Sequence, residues 1–372
     1  MKIGIISYHI EPNYGTMLQA YALEKAIKRE GVKCEYINYF PYKKPSRLKC
    51  LVKRIIDFLG IKLKNNEFDF FSTKAFKSTI LAFNKFHRNY IGISESQYYS
   101  DTIHESNELY DYFIVGSDQT WSPYMTSMNN CMNFLQFVSD NNKKRAYAPS
   151  IGTTHINELY LKTLINELRT FEFISCRERS NCKLLASNID KPVNYVLDPT
   201  LLLSPNEWNS IAVSPAMAPK SYILAYILGE KECVSEYAEN LGKAKGLPVY
   251  YIVTRPCYLT KTNNLTGIGP EHFLGLIRDA AFVVTDSFHG SIFSINYGVN
   301  FYSFAKRKIN NNDASNDNDR IIEFLKELNL ENRFKEDDDG TYEENISYSN
   351  VETILSKLRA DSKEYLRNII SH

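Results

Sequence analysis

Short apolar runs alternate with stripes of helical spacing along most of the chain. The run Ile3–Ser7 leads into the turn His9–Gly15, after which Leu18, Ala22, Leu23, Ala26 and Ile27 recur at helical spacing over 16–30. Gly31 stops that helix, and Lys33–Asn38 reads as the next strand. Tyr110–Val115 predicts a strand ending in Gly116-Ser117-Asp118-Gln119-Thr120-Trp121, and Arg145–Ala148 a short one entering Pro149-Ser150-Ile151-Gly152. A helix near 156–170, a strand Phe173–Arg177, a helix Glu178–Ser187 and a strand Val193–Val196 follow. Asp198-Pro199-Thr200 and a crossover at Leu201–Trp208 close this half.

The pattern restarts with the strand Tyr222–Leu228, a helix at 232–245 and the strand Val249–Thr254. A helix Glu271–Ala280 then precedes the apolar run Ala280–Val284, the turn Thr285–Gly290 and the helix-like run Ser291–Ile295. Val299–Phe304 is one more strand, and a long helix is expected at about 351–369. The polar, aromatic segment 65–108 shows no element in this pattern, the Asn- and Asp-rich stretch 309–320 predicts a mobile loop, and 331–344 is acidic. Strands alternating with helices imply a parallel α/β protein. Two Rossmann-like domains facing a cleft are expected, at 1–205 and 206–372, the second ending in the long C-terminal helix.

Length agrees, since 372 residues exceed the comfortable size of a single core. A 44% apolar and 23% charged composition is that of a soluble globular protein, and a net charge of +1 argues against a general nucleic-acid binder. The seven cysteines are scattered without a CxxC, which predicts reduced thiols and a cytoplasmic protein. Met1–Ser7 reads as a strand opening and not a signal peptide, and no apolar stretch is long enough to span a membrane. Residues 43–64 depart from the average. Lys43, Lys44, Arg47, Lys49, Lys53, Arg54, Lys62 and Lys64 face the single acid Asp57, while Leu48, Leu51, Val52, Ile55, Ile56 and Leu59 form an apolar stripe. Such a helix either lies on an anionic membrane surface or packs on its own domain with a solvated basic face; the second arrangement is the commoner.

Candidate chemistry concentrates where strands end, because ligands of open α/β sheets bind there. His289 stands on a strand–turn–helix junction, with Ser287 beside it and Gly290 allowing close approach of the backbone. Arg177 ends the strand Phe173–Cys176, and Arg255 follows Val249–Thr254; each suits a carboxylate or phosphate, or a salt bridge with a neighbouring acid. The turn Asn13-Tyr14-Gly15-Thr16 offers amides at a helix start, and Asp118 reads as a base or a turn cap. No Walker loop, GxGxxG, GxSxG, HExxH or metal-ligating cluster occurs.

In order and spacing, several segments resemble the polysaccharide pyruvyl transferase family: Asn13-Tyr14-Gly15 with Leu18-Gln19-Ala20-Tyr21-Ala22-Leu23, Gly116–Trp121, Ser175-Cys176-Arg177-Glu178, Asp198-Pro199-Thr200 and Thr285–Gly290. The resemblance spans most of residues 1–305. It implies a two-domain fold like that of GT-B glycosyltransferases and transfer of the enolpyruvyl unit of phosphoenolpyruvate to a sugar as a ketal. The acceptor implied is a cell-surface polysaccharide precursor, lipid-linked on the inner membrane face, with no cofactor beyond the phosphoenolpyruvate donor. His289 falls on the family's conserved histidine, as proton donor, and Arg177 on its strand-end arginine. Substrate contacts are expected from Arg177, Arg255, Ser287, Gly290, Asn13, Gly15 and Gln119, with Asp118 or Glu11 as the base. Many relatives carry an arginine where this chain has Ser287, so Arg255, Lys306 or Arg307 must replace it; some carry an acid where this chain has Thr16. A nucleotide-sugar glycosyltransferase and a non-catalytic glycan-binding relative remain open alternatives.

Overall fold

The computed structural model describes residues 1–43, 73–124, 131–215, 221–229, 231–306, 318–342 and 345–371. The basic stretch 43–64, apart from Lys43, and Arg307 lie outside the described residues.

In the first half, β1 (Lys2–Ile6) runs into α1 (Tyr14–Arg29) and β2 (Lys33–Phe40). Then come α2 (Lys74–Tyr90), β3 (Ile93–Tyr99), β4 (Tyr112–Val115) and β5 (Lys144–Ala146). After them follow α3 (Glu158–Leu168), β6 (Ile174–Cys176), α4 (Arg179–Ala186) and β7 (Val193–Tyr195). Strands pair in parallel in the order β3-β2-β1-β4-β5. The β6–β7 pair extends that sheet, since Ala146 N donates to Phe173 O at 3.0 Å.

A short helix, α5 (Pro205–Asn209), leads to the second half. There β8 (Ile223–Tyr226), α6 (Glu232–Lys245), β9 (Val249–Ile252), β10 (Asn264–Leu265) and α7 (Pro270–Asp279) come first. Next are β11 (Phe282–Thr285), α8 (Phe288–Tyr297), β12 (Asn300–Phe304), α9 (Asp319–Glu327), β13 (Phe334–Lys335) and α10 (Tyr348–Ser371). The order β10-β9-β8-β11-β12-β13, again parallel, is the doubly wound order, as is the first sheet's. The two Rossmann-like units expected from the strand–helix alternation are therefore present.

The halves share one apolar core. Tyr14 of α1 stacks on Phe273 of α7 with centroids 4.5 Å apart, and its hydroxyl donates to Ile268 O at 2.9 Å. Trp208 is buried between Tyr21 and Phe293. Helix α10 starts on the second half, where Tyr348 donates to Val299 O at 2.6 Å, and ends on the first, where Tyr365 donates to Ala146 O at 3.0 Å and Arg145 Nε to Ile369 O at 2.6 Å. Assigned by chain order to the second domain, this helix bonds to both.

Three expectations change. Residues 65–108, which showed no element, contain α2 and β3. The middle of β3 (Glu95-Ser96-Gln97) is exposed at the sheet edge, so it lacks a two-residue apolar alternation. Within 309–320, the described end is not loop: Asp319 and Arg320 already belong to α9. Helix α8 begins at Phe288, so His289 sits in its first turn and not in the loop before it.

Candidate active site at the carboxyl ends of two sheets

In both sheets the first strand of the half and its fourth-position neighbour are adjacent, which opens a crevice beyond their carboxyl ends. These crevices, after β1 and β4 and after β8 and β11, meet in one cleft of about 110 Å³. Asn13, Thr16, Asp118 and Gln119 line it from the first half; Leu228, Asp286, Ser287, His289, Lys306 and Arg320 line it from the second.

Ser287 sets the position of His289. Its backbone is extended and its hydroxyl accepts from Gly290 N at 3.4 Å, which caps α8 and puts His289 one residue inside the helix. His289 is 8% exposed, and its Nε2 lies 3.5 Å from Asp198 Oδ2. Nδ1 rests against Gly15: a Cβ there would come within 2.0 Å of it. Glycine at 15 is thus required by the close passage of α1 over the ring.

Asp198 is 2% exposed, and its Oδ1 accepts from Thr200 N at 3.0 Å and Thr200 Oγ1 at 2.7 Å. Oδ2 accepts from Arg177 Nη1. Burial works against its ionisation, but His289, Arg177 and the Thr200 amide outweigh burial and hold its pKa below the usual carboxylate range. In the sequence Asp198 stands out only as part of a motif, with nothing local to give it a role.

Arg177 is 6% exposed and lines a separate cavity of about 20 Å³ with Glu178, Phe288 and Arg320. That volume suits one water molecule. Its Nε and Nη2 have no hydrogen-bond partner among the described residues, and Nε lies 3.7 Å from Glu178 Oε1. Two guanidinium groups stack on the Phe288 ring, Arg177 at 4.6 Å and Arg320 at 5.2 Å from its centroid. Arg320 was missed in the sequence because it opens a short helix behind an Asn-rich stretch.

Asp118 holds a left-handed backbone (φ 65°), and its carboxylate accepts from Thr16 Oγ1 and from Gln119 N, both at 2.9 Å. It is already committed to fixing the turn. Glu11 has its pKa raised, first by burial and then by Asp118. It borders a hollow of about 270 Å³ beyond β1 and β2, where Tyr8, His9, Tyr39 and Asn133 also stand. Asn13 caps α1, its side chain accepting from Thr16 N at 3.3 Å, and Gln119 folds over Gly152.

Other expected contacts lie elsewhere. Gly290 is buried, and a Cβ on it would come within 2.5 Å of Thr285 Oγ1, so its small size serves helix–strand packing. Arg255 Nε donates to Leu228 O at 2.7 Å, and Arg255 does not line the cleft. Lys306 does line it, with its backbone N donating to Asn318 Oδ1 at 2.9 Å. Asp286 accepts from Leu228 N at 2.6 Å and Gly229 N at 2.5 Å, tying the end of β8 to that of β11.

Three helix starts open on this cleft. Asn13, Ser287 and Asn318 are the N-cap residues of α1, α8 and α9, and all three line it. Converging amide ends, with Lys306 and Arg320, favour an anionic ligand. Among the described residues no group of three or more His, Cys, Asp or Glu could hold a metal ion, and no helix is long and apolar enough to cross a membrane. The described cysteine side chains are free thiols.

Residues 13–306 match the family model described as polysaccharide pyruvyl transferase. No curated protein matches the chain. Among solved structures it is similar to the UDP-GlcNAc 2-epimerase of Neisseria meningitidis bound to UDP-GlcNAc (9% identity, 96% of this chain and 99% of that one, TM-score 0.46). It is also similar to the UDP-N-acetylglucosamine 2-epimerase of Rickettsia bellii (10% identity, 99% and 97%, TM-score 0.44). A third is the heptosyltransferase WaaC of E. coli with ADP (12% identity, 83% and 88%, TM-score 0.38).

Proposed function

The chain belongs to the polysaccharide pyruvyl transferase family, and we propose that it moves the enolpyruvyl unit of phosphoenolpyruvate onto a sugar of a cell-surface polysaccharide precursor, as a ketal. The observation that carries this reading is the buried His289–Asp198 pair, whose histidine lines a cleft on which three helix N-termini converge. Phosphoenolpyruvate is an enol ester with two anionic groups. Making a ketal from it needs a proton on its methylene carbon and a sugar hydroxyl on the adjacent carbon.

In this reading Asp198, 3.5 Å from Nε2 of His289, stabilises the imidazolium by its charge, while Nδ1, beside Gly15, gives its proton to the methylene. The oxocarbenium-like centre that results takes the first hydroxyl oxygen, whose proton passes to a base. A second hydroxyl oxygen then bonds to the same carbon as that carbon's C–O bond to phosphate breaks, and the hydroxyl proton leaves with the phosphate, which closes the ketal. Glu11 suits the role of base better than Asp118, because Asp118 is engaged by Thr16 and Gln119 whereas Glu11 has a raised pKa and borders the adjoining hollow. That hollow, with its aromatic and amide groups, is the place for the acceptor sugar. A lipid-linked acceptor, and contact of 43–64 with the inner membrane face, belong to the same proposal.

The test is incubation with phosphoenolpyruvate and a panel of acceptor glycans, following phosphate release and product mass. Wild type should release phosphate only when an acceptor with a suitable hydroxyl pair is present. His289→Ala should lose about 10²–10⁴-fold in turnover. Robust product from His289→Ala would overturn the role of the histidine. Tight nucleotide-sugar binding with no response to phosphoenolpyruvate would overturn the donor.

A further inference from the structure

We propose that Arg320 is the arginine that binds the donor's anionic end, and that Arg177 acts one step behind it as a positioning residue for Asp198 and His289. The inference rests on the cleft being a phosphoenolpyruvate site.

Access separates the two arginines first. Arg320 is half-buried and lines both the cleft and the small cavity, whereas Arg177 lines only the cavity. A three-carbon acid bearing a phosphate does not enter about 20 Å³. Arg177 is also already engaged. Arg177 gives Nη1 to Asp198 and has Glu178 3.7 Å from Nε, so two carboxylates already balance its guanidinium. Its contact with Asp198 puts it behind the carboxylate that faces His289.

Arg320 lies in the first turn of α9, two residues after the cap residue Asn318, whose side chain fixes the backbone of Lys306. Two cations and a helix N-terminus therefore share one side of the cleft. The Phe288 ring connects this cluster to the proton donor: Arg320 Cζ is 5.2 Å from its centroid, and the His289 ring is 5.2 Å from it at 89°. A planar guanidinium held against that ring can fork onto a carboxylate or phosphate whose methylene carbon reaches the imidazole.

The experiment is calorimetric titration of phosphoenolpyruvate into full-length wild type, Arg320→Ala, Arg320→Lys and Arg177→Lys, paired with the pH dependence of turnover. Arg320→Ala should weaken binding about 10- to 100-fold, the range for a lost charged hydrogen bond. Arg320→Lys should recover part of that, and the pH profile of kcat should stay in place for both. Arg177→Lys should bind the donor within about 3-fold of wild type, since it removes no donor contact, but lower kcat and move its pH profile. Wild-type affinity in Arg320→Ala, or a displaced pH profile in that variant, overturns the proposal without touching the wider reading. Absence of both binding and phosphate release in wild type overturns the two together. Should Arg177→Lys fail to fold, the Arg320 affinities and pH profiles still decide.

Discussion

The two halves repeat one strand order yet bring opposite chemistry to the cleft they share. From the first half come Asn13, Thr16, Asp118 and Gln119, together with Glu11 in the adjoining hollow: acids and neutral polar groups held by tight turns. From the second come the cationic side chains Lys306 and Arg320 and the imidazole of His289, beside Asp286, whose carboxylate is engaged by the Leu228 and Gly229 amides. Topology alone places ligands at the ends of both sheets. Residue chemistry then gives each side its own role. The first half suits a hydroxyl that must lose a proton, and the second an anion that must be held and protonated. The His289–Asp198 contact joins the halves across that division.

Breaking this contact has the largest expected effect. Asp198→Asn leaves Arg177 buried without the nearer of its two carboxylates, a loss of about 3–5 kcal/mol of stability by analogy with broken buried ion pairs. Denaturant unfolding of the variant measures it. The pH dependence has a definite sign. The folded pKa of Asp198 is depressed, so its stabilisation is complete above the unfolded value of 3.8 and is lost as pH falls through the lower folded value. Asp198→Asn should lack this acid-side loss. An unchanged midpoint at neutral pH would mean that the first half does not anchor the pair.

Gly15→Ala tests the same junction from α1. On helix propensity alone the change favours the helix by up to about 1 kcal/mol. The added Cβ, however, would lie 2.0 Å from His289 Nδ1, so the ring must move. A displacement of about 1 Å at a reacting group costs about 10²-fold in rate. The expected result is a stable protein with turnover down by about that factor. Full activity would show that the ring nitrogen beside Gly15 is not the one that reacts.

How far this junction was legible in the sequence follows from what each residue depends on. Strand, turn and histidine at 280–295 could be read because a fully buried strand leaves an unbroken apolar run and a serine cap marks the helix that follows. The Arg177–Asp198–His289 arrangement could not. It joins β6, the turn after β7 and α8, and no local pattern records which strand ends will meet. Gly290 misled for a related reason: the close approach it permits is to Thr285, inside the fold. Arg320 had no apolar pattern before it to mark a helix start. β3 was lost because an edge strand with an exposed middle has no buried face along most of its length.

On the acidic side, Glu11 gives a smaller effect with a clear direction. Burial first, and Asp118 second, raise its pKa above the ordinary 4.5, so a base at this position loses activity below a correspondingly raised pH. Asp118→Asn removes the like charge and should move the acid limb of kcat/KM to lower pH, though burial keeps it above the ordinary value. Glu11→Gln should abolish that limb. An acid limb unmoved by Asp118→Asn would remove Glu11 from the role and break the division between the halves on its acidic side.

The two helix caps give the finest comparison, because they are alike in geometry and differ in what they carry. Asn13 accepts from Thr16 N at 3.3 Å and Ser287 from Gly290 N at 3.4 Å. Replacing either by alanine should cost about 1 kcal/mol of stability. If both did no more than cap, activity would respond equally. The Ser287 cap, however, fixes the helix turn that bears His289 itself, while Asn13 fixes only the turn that passes over it. Ser287→Ala should therefore lower kcat more than Asn13→Ala at matched loss of stability, and should leave the affinity for phosphoenolpyruvate nearly unchanged, since Ser287 contributes a cap and no charge. A selective loss of donor affinity in Ser287→Ala would instead put the serine in contact with the anion, and the second half would then hold its ligand through position 287 as well as through Arg320.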